Sequence, residues 1–331
     1  MSALAWIAAG LALGAGVPWL GMRMFAPSLA ASPVRTNFRG REVPLGLGVV
    51  WVLWAGGAMA ASLIVASGDA GPAPGGLLIL AGPLALAAFA LGLVDDALGS
   101  PDERGFGGHF SALAKGRLTT GMLKLLGISV ASLVVAAIVS GFAPWGRGAA
   151  GSLPARVAFT LLAGAAIALT SNLLNLLDLR PGRALKGYTA LVLPGVAIAV
   201  ASWSRVPGVR SATAVDLAAG AVMLALFALG PVVSVWAEDL GERAMLGDAG
   251  ANPAGAVAAL FVVAGLPGWG LVLYTVGVLA LNLASERWSF SRVIAANRLL
   301  SYLDGLGRLP AEPSTPESSP KTSPQSTTSD G

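Results

Sequence analysis

Cysteine is absent from these 331 residues, histidine occurs once, at His109, and charged residues make up only 11%. The first absence removes disulfides, thiolate metal sites and cysteine nucleophiles, and the second removes any histidine-rich metal site. So low a charge density, against about 25% in soluble domains, excludes a soluble globular chain. A mean hydropathy of +0.74 says the same.

What is present is apolar. Eight stretches contain no Asp, Glu, Lys or Arg: 1–22, 43–68, 70–94, 125–146, 157–177, 187–204, 217–237 and 249–285. A helix needs about 20 apolar residues to cross a hydrocarbon core of about 30 Å, so each of the first seven suits one crossing. The eighth is too long for one and carries Leu266-Pro267-Gly268 near its middle, so it reads as two short spans. The expectation is an all-α polytopic membrane helix bundle of about nine transmembrane helices. The apolar start has no basic n-region and reads as a first span, not a cleaved leader. Residues 1–309 form one integral membrane domain, and the Pro/Ser/Thr-rich 310–331 reads as a disordered cytoplasmic tail.

Charge then orients the bundle. With the N-terminus outside and the C-terminus cytoplasmic, 17 of the 21 basic residues fall in inner segments, leaving Arg147, Arg156, Arg205 and Arg210 outside. That asymmetry is the positive-inside pattern of an inner (plasma) membrane protein. The pI near 9.8 follows from loops facing an anionic leaflet and does not call for nucleic acid.

In this topology the polar residues that are costly to explain structurally sit at the cytoplasmic ends of spans. In LGLVDDALGS, Asp95 and Asp96 follow a 25-residue apolar stretch, where acid opposes the helix dipole and adjacent carboxylates repel. Such a pair suits divalent-cation binding or proton abstraction. KGRLTTGMLKLLG brings Lys115, Arg117 and Lys124, which read as snorkelling anchors or phosphate ligands. In TSNLLNLLDLRPGRALKGY, Asn172, Asn175 and Asp178 recur every three residues as a polar stripe, followed by Arg180, Arg183 and Lys186 around a Pro-Gly turn. An acceptor stripe beside a basic turn suits a metal-bound, phosphate-bearing ligand. In AMLGDAGANPAGA, Asp248 lies in a Gly-flanked turn with Asn252 one helical turn on.

The order DD, NxxNxxD, GDxGxN on successive cytoplasmic loops resembles the polyprenyl-phosphate N-acetylhexosamine-1-phosphate transferases, over residues about 35 to 305. The resemblance implies transfer of a sugar 1-phosphate from a UDP-sugar to undecaprenyl or another polyprenyl phosphate, with Mg²⁺ (Mn²⁺ as an alternative) and release of UMP, initiating a cell-envelope glycan. It implies that Asp95 and Asp96 handle the lipid phosphate, that Asp248 binds the metal, that Asp178 closes the asparagine motif and that Lys115 is the lysine of the DD loop. Asn175 would line the nucleotide-sugar site, with Asn172 and Asn252 beside it, and RGREVP (39–44) takes the place of the first family loop.

Three positions depart from the family pattern. Pro181 stands where a second aspartate is usual, Met245 where an aromatic stacks on uracil, and SERWSFSRVIAANR (285–298) where a histidine-rich loop lies. The last two favour a donor smaller than the muramoyl-pentapeptide nucleotide, most simply UDP-N-acetylglucosamine. On the residues alone, one of Asp95 and Asp96 positions or deprotonates the lipid phosphate, while Arg180, Arg183 or Lys186 binds the diphosphate. Direct attack and a covalent aspartyl-phosphate both remain open, as do the pentapeptide transferase itself, a catalytically inactive polyprenyl-phosphate-binding relative, and a homodimer. An anionic-solute transporter fits less well, because transporters place charge near the midplane.

Overall fold

The computed structural model describes residues 3–66, 75–99, 105–142, 152–204 and 214–310. The expected tail from 311 onward lies outside the described residues, as do Arg147, Arg205 and Arg210. The chain opens with helix α1 (Ala3–Ala9), a π-helical turn over Gly10–Gly16 and α2 (Val17–Phe25), which together form one apolar rod. A two-stranded hairpin follows, with β1 (Val34–Thr36) antiparallel to β2 (Glu42–Pro44) and Arg35 opposite Val43. Then come α3 (Val50–Ala66), α4 (Gly75–Leu98), the short α5 (Gly105–Ala114), α6 (Thr120–Phe142), α7 (Leu153–Leu177), α8 (Arg183–Trp203) and α9 (Ala214–Leu240). The chain continues through α10 (Asp248–Val263), α11 (Gly268–Ser285), α12 (Phe290–Ala296) and α13 (Arg298–Gly305).

Among the described residues, eight helices are long and apolar enough to cross a membrane. The 249–285 stretch does fold into two helices that turn at Gly265–Pro267, as its internal proline predicts. The shorter member of that pair is α10, which at 16 residues falls below the length of the eight. At about 1.5 Å per residue it reaches about 24 Å, short of a full hydrocarbon core.

That short helix is the centre of the bundle. Every residue of α10 from Ala249 to Val263 is buried, and it packs on α4, α7 and α8. Its sequence, DAGANPAGAVAALFVV, has the small side chains that let backbones touch. A Cβ on Gly255 would lie 2.4 Å from the Thr170 carbonyl oxygen, and one on Gly92 would lie 2.3 Å from that of Asp248. Those two contacts seat α10 against α7 and α4, the second of them at the level of the acidic residues. On the far side of α10, Trp51 donates to the Gly250 carbonyl (2.9 Å) and Trp54 to that of Phe227 (2.6 Å), so the indoles of α3 are satisfied within the apolar core.

Candidate active site

Four segments distant in sequence meet at one end of the bundle. The last turn of α4 brings Asp95 and Asp96, the second turn of α6 brings Lys124, the end of α7 brings Asp178, and the start of α10 brings Asp248. Lys124 holds the group together. Its Nζ lies 2.6 Å from Asp95 Oδ2 and also contacts Asp248 Oδ2. These three side chains are between 11% and 16% exposed, so the contact is shielded from bulk water while its rim stays open.

The adjacent aspartates separate into two roles. Asp96 accepts from the first two amides of α10, with Asp248 N 3.1 Å from Oδ1 and Ala249 N 2.9 Å from Oδ2. A carboxylate there meets orphan amides and the positive end of the helix dipole, so Asp96 ties α4 to α10. Gly247 makes the approach possible: its φ of 63° is left-handed, and a Cβ would lie 2.7 Å from Asp96 Oδ2. The Arg35 guanidinium from β1 stands 3.4 Å from the same carboxylate. Asp95 takes the other role, facing Lys124 and Asp248.

Behind Lys124 is a cavity of about 180 Å³ lined by Ser171, Asn172, Asn175 and Asn252, with Glu286 at the end of α11 also on its wall. The asparagine stripe is thus brought to the carboxylates as its period implies. Asn172 Nδ2 donates to Asn282 Oδ1 (2.7 Å), and Asn282 Nδ2 donates to the carbonyls of Leu169 and Val278. Asn252 Nδ2 donates to the Asp248 carbonyl (2.7 Å), and the Ser171 hydroxyl donates to the carbonyl of Asn252 (2.9 Å). Apolar side chains of α6, Leu125 and Ile128, complete one wall.

Asp178 ends α7 between the cavity and the Pro181-Gly182 turn. Burial, and then the carboxylates of Asp239, Asp248 and Asp96, push its carboxyl well above the ordinary value. Around that turn the structure redistributes the expected phosphate ligands. Arg180 stacks on Phe38 of the hairpin, 4.7 Å from the ring centre. Arg183 is buried, and it grips Asp304 through Nε and Nη2, both at 2.9 Å, and Ser291 through Nη1. Lys186 donates to the carbonyls of Leu303 and Asp304. The donors of Arg183 and Lys186 are therefore engaged with the C-terminal segment, away from the cavity wall. Lys115 is exposed in the loop after α5, and no described contact joins it to the carboxylates. Met245 pairs by its backbone with Pro44 and Leu45, and shares a narrow crevice with Phe38, Asp178 and Arg180.

Three participants were underweighted or missed by sequence reasoning. Lys124 carried a usable signal, a lysine followed by an uninterrupted apolar run. Asp239 has the same signal as Asp95, an acid at the end of an apolar span, and its Oδ2 accepts from Gly182 N at 2.7 Å. Asn282 is an amide inside a membrane helix, costly unless partnered.

Fit to a divalent ion is partial but chemically sound. Among the described residues no group of three or more His, Asp or Glu could cage a metal. Asp95 and Asp248 nevertheless point carboxylate oxygens at one position, and Mg²⁺ takes one or two carboxylates when substrate phosphates supply the rest. The fold and site together define a polytopic α-helical membrane protein with an amide-lined cavity beside a lysine–aspartate cluster at one end of its bundle. No protein-family model matches the chain, and no curated protein matches it significantly.

Proposed function

We propose that this protein transfers a sugar 1-phosphate from a UDP-N-acetylhexosamine to a polyprenyl phosphate, releasing UMP, on the cytoplasmic face of the plasma membrane. The observation that carries the reading is the convergence of Asp95 and Asp248 on Lys124, which also lines an amide-lined cavity. The lipid phosphate is confined to the interface and the nucleotide sugar to water, so a shared site must lie at a span end. In the reaction an oxygen of the lipid phosphate attacks the sugar-bearing β-phosphorus. The bond from that phosphorus to the oxygen bridging it to the α-phosphorus breaks, UMP leaves with the bond pair, and a new diphosphate link forms.

Asp95 and Asp248 would hold Mg²⁺, which supplies neutralisation of the diphosphate charge. Lys124 neutralises the carboxylates between turnovers and then offers its ammonium to a phosphate oxygen. Asp96 keeps α10 in register, so that Asp248 is presented without reorganisation. In such loose phosphoryl transfers, positioning and charge neutralisation provide most of the acceleration. Asn172, Asn175 and Asn252 offer neutral hydrogen-bonding groups of the kind an acetamido sugar uses.

A second reading is a lipid-phosphate-binding relative without turnover, favoured by Lys124 already occupying the cation position. The two separate on incubating purified protein with undecaprenyl phosphate, Mg²⁺ and a panel of UDP-sugars. UMP release with UDP-N-acetylglucosamine is the expected result. Release only with the muramoyl-pentapeptide donor would change the substrate, and lipid binding without release would favour the second reading.

A further inference from the structure

The segment after α11 is built unlike the spans. At about 100° per residue, Leu299, Tyr302 and Leu303 of α13 share one face, and Asp304 lies about 100° or more from each. Asp304 is turned toward the bundle. It accepts from Arg183 through both carboxylate oxygens, and from Arg308 at 2.6 and 2.7 Å, while Arg308 Nε reaches the Pro181 carbonyl at 2.8 Å. Among the described residues the face bearing Leu299 and Tyr302 is largely uncovered: these residues are 65% and 66% exposed. Trp288, in the turn before α12, is 63% exposed.

The same segment carries basic residues. Arg287, Arg292 and Arg298 are all exposed. The carboxylates of the same segment are Glu286, on the cavity wall, and Asp304, held between two guanidinium groups. Depth is set by the clamp, since Arg183 and Lys186 form the first turn of α8 and hold α13 level with the ends of the spans. Exposed apolar side chains also precede the segment on α11, where Leu279 and Leu283 are exposed shortly before Trp288.

We infer that residues 287–303 form a docking surface for the anionic lipid bilayer in which the spans sit, with Leu299, Tyr302 and Leu303 entering the interface and Arg287, Arg292 and Arg298 meeting lipid phosphates. An aromatic-and-leucine face flanked by arginines at the level of span ends has the composition that the interface favours. Charge complementarity selects anionic headgroups. This goes beyond the proposed transfer reaction and does not depend on it.

The absence of native cysteine makes the test clean, because one introduced thiol takes one label. The full chain carrying Leu303→Cys or Leu299→Cys with a fluorophore is reconstituted into vesicles of phosphatidylcholine with or without phosphatidylglycerol. Nitroxide-bearing lipids report contact with the bilayer, and Ser301→Cys serves as the label off the apolar face. Quenching at 299 and 303 beyond that at 301, increased by phosphatidylglycerol, is expected. Arg292→Gln and Arg298→Gln should each lower the docked-to-undocked ratio about fivefold in the anionic vesicles and little in phosphatidylcholine alone. Should either variant elute as aggregate, the lipid series on the arginine-intact protein decides. Equal access of labels 299 and 303 to a water-soluble quencher, whatever the lipid, would overturn the inference. So would protection that appears only at high protein density, since a second copy would then cover the face.

Discussion

Two clusters at the same end of the bundle solve the burial of charge in opposite ways. Around Lys124, one ammonium serves two carboxylates, with Asp96 and Asp178 close by. Around Asp304, one carboxylate serves two guanidinium groups in fork geometry. The first is short of positive charge and opens on a cavity, so a further cation or a phosphate-bound metal has a reason to enter. The second uses most of its donors and acceptors internally and clamps α13 to the turn after Asp178. Charge balance, not the mere presence of Asp and Arg, distinguishes the proposed place for chemistry from a fastening.

The largest effect should come from the open cluster. Asp248→Asn keeps size and hydrogen bonding but removes one of two converging charges, so UMP release should fall about 10²–10³-fold while the protein still elutes as a folded species. Undiminished Mg²⁺-dependent turnover would reject the metal assignment.

Lys124→Gln sharpens the comparison by leaving Asp95 and Asp248 facing each other. Losing one partner of a buried ion group costs about 3–5 kcal/mol. The melting temperature should drop in chelator and recover with added Mg²⁺, a dependence that the unaltered chain should show more weakly. Equal recovery with KCl of matched ionic strength would mean screening, not a metal.

The closed cluster should answer through stability. Asp304→Asn or Arg183→Gln should free α12–α13 to limited proteolysis by about 2–3 kcal/mol of local opening, with little change in KM for the nucleotide sugar. Burial alone would raise the Asp304 carboxyl, but the hydrogen bonds from Arg183 and Arg308 outweigh it and hold it below the ordinary value. A depressed carboxyl adds stability that is complete above its unfolded value of about 3.9 and lost as pH falls through the folded one. Proteolysis of the segment should therefore be flat from pH 5 to 8 and accelerate only in stronger acid. A selective rise in nucleotide-sugar KM in Arg183→Gln would move Arg183 back into the substrate site.

The smallest effect belongs to Lys115→Ala. An exposed lysine without a described partner should change stability by no more than about 0.5 kcal/mol and leave turnover near that of the parent. A loss of turnover comparable to that of Asp248→Asn would show that the α5–α6 loop closes on substrate.

Legibility followed the range of the interactions. The spans were readable because hydropathy is a local property, and the 249–285 hairpin was readable because proline and glycine act within a few residues. Asn172, Asn175 and Asp178 were readable as one polar stripe for the same reason. What sequence could not assign was partnership. Asp95 and Asp96 are neighbours in the chain, yet one faces a lysine and the other an incoming helix terminus. Arg183, read as a phosphate ligand, meets Asp304, 121 residues later.

The sequence by itself determined that this protein is an all-α membrane bundle with its acids and amides at span ends, because a hydrocarbon solvent penalises each buried polar group wherever it occurs in the chain. The tertiary structure alone decided that a 16-residue helix would be central and not a full span, since only packing against Gly92 and the Thr170 turn seats it. It also decided which cation each carboxylate receives. Those pairings close over more than a hundred residues, and nothing in local composition distinguishes an aspartate that will share its partner from one that will hold two.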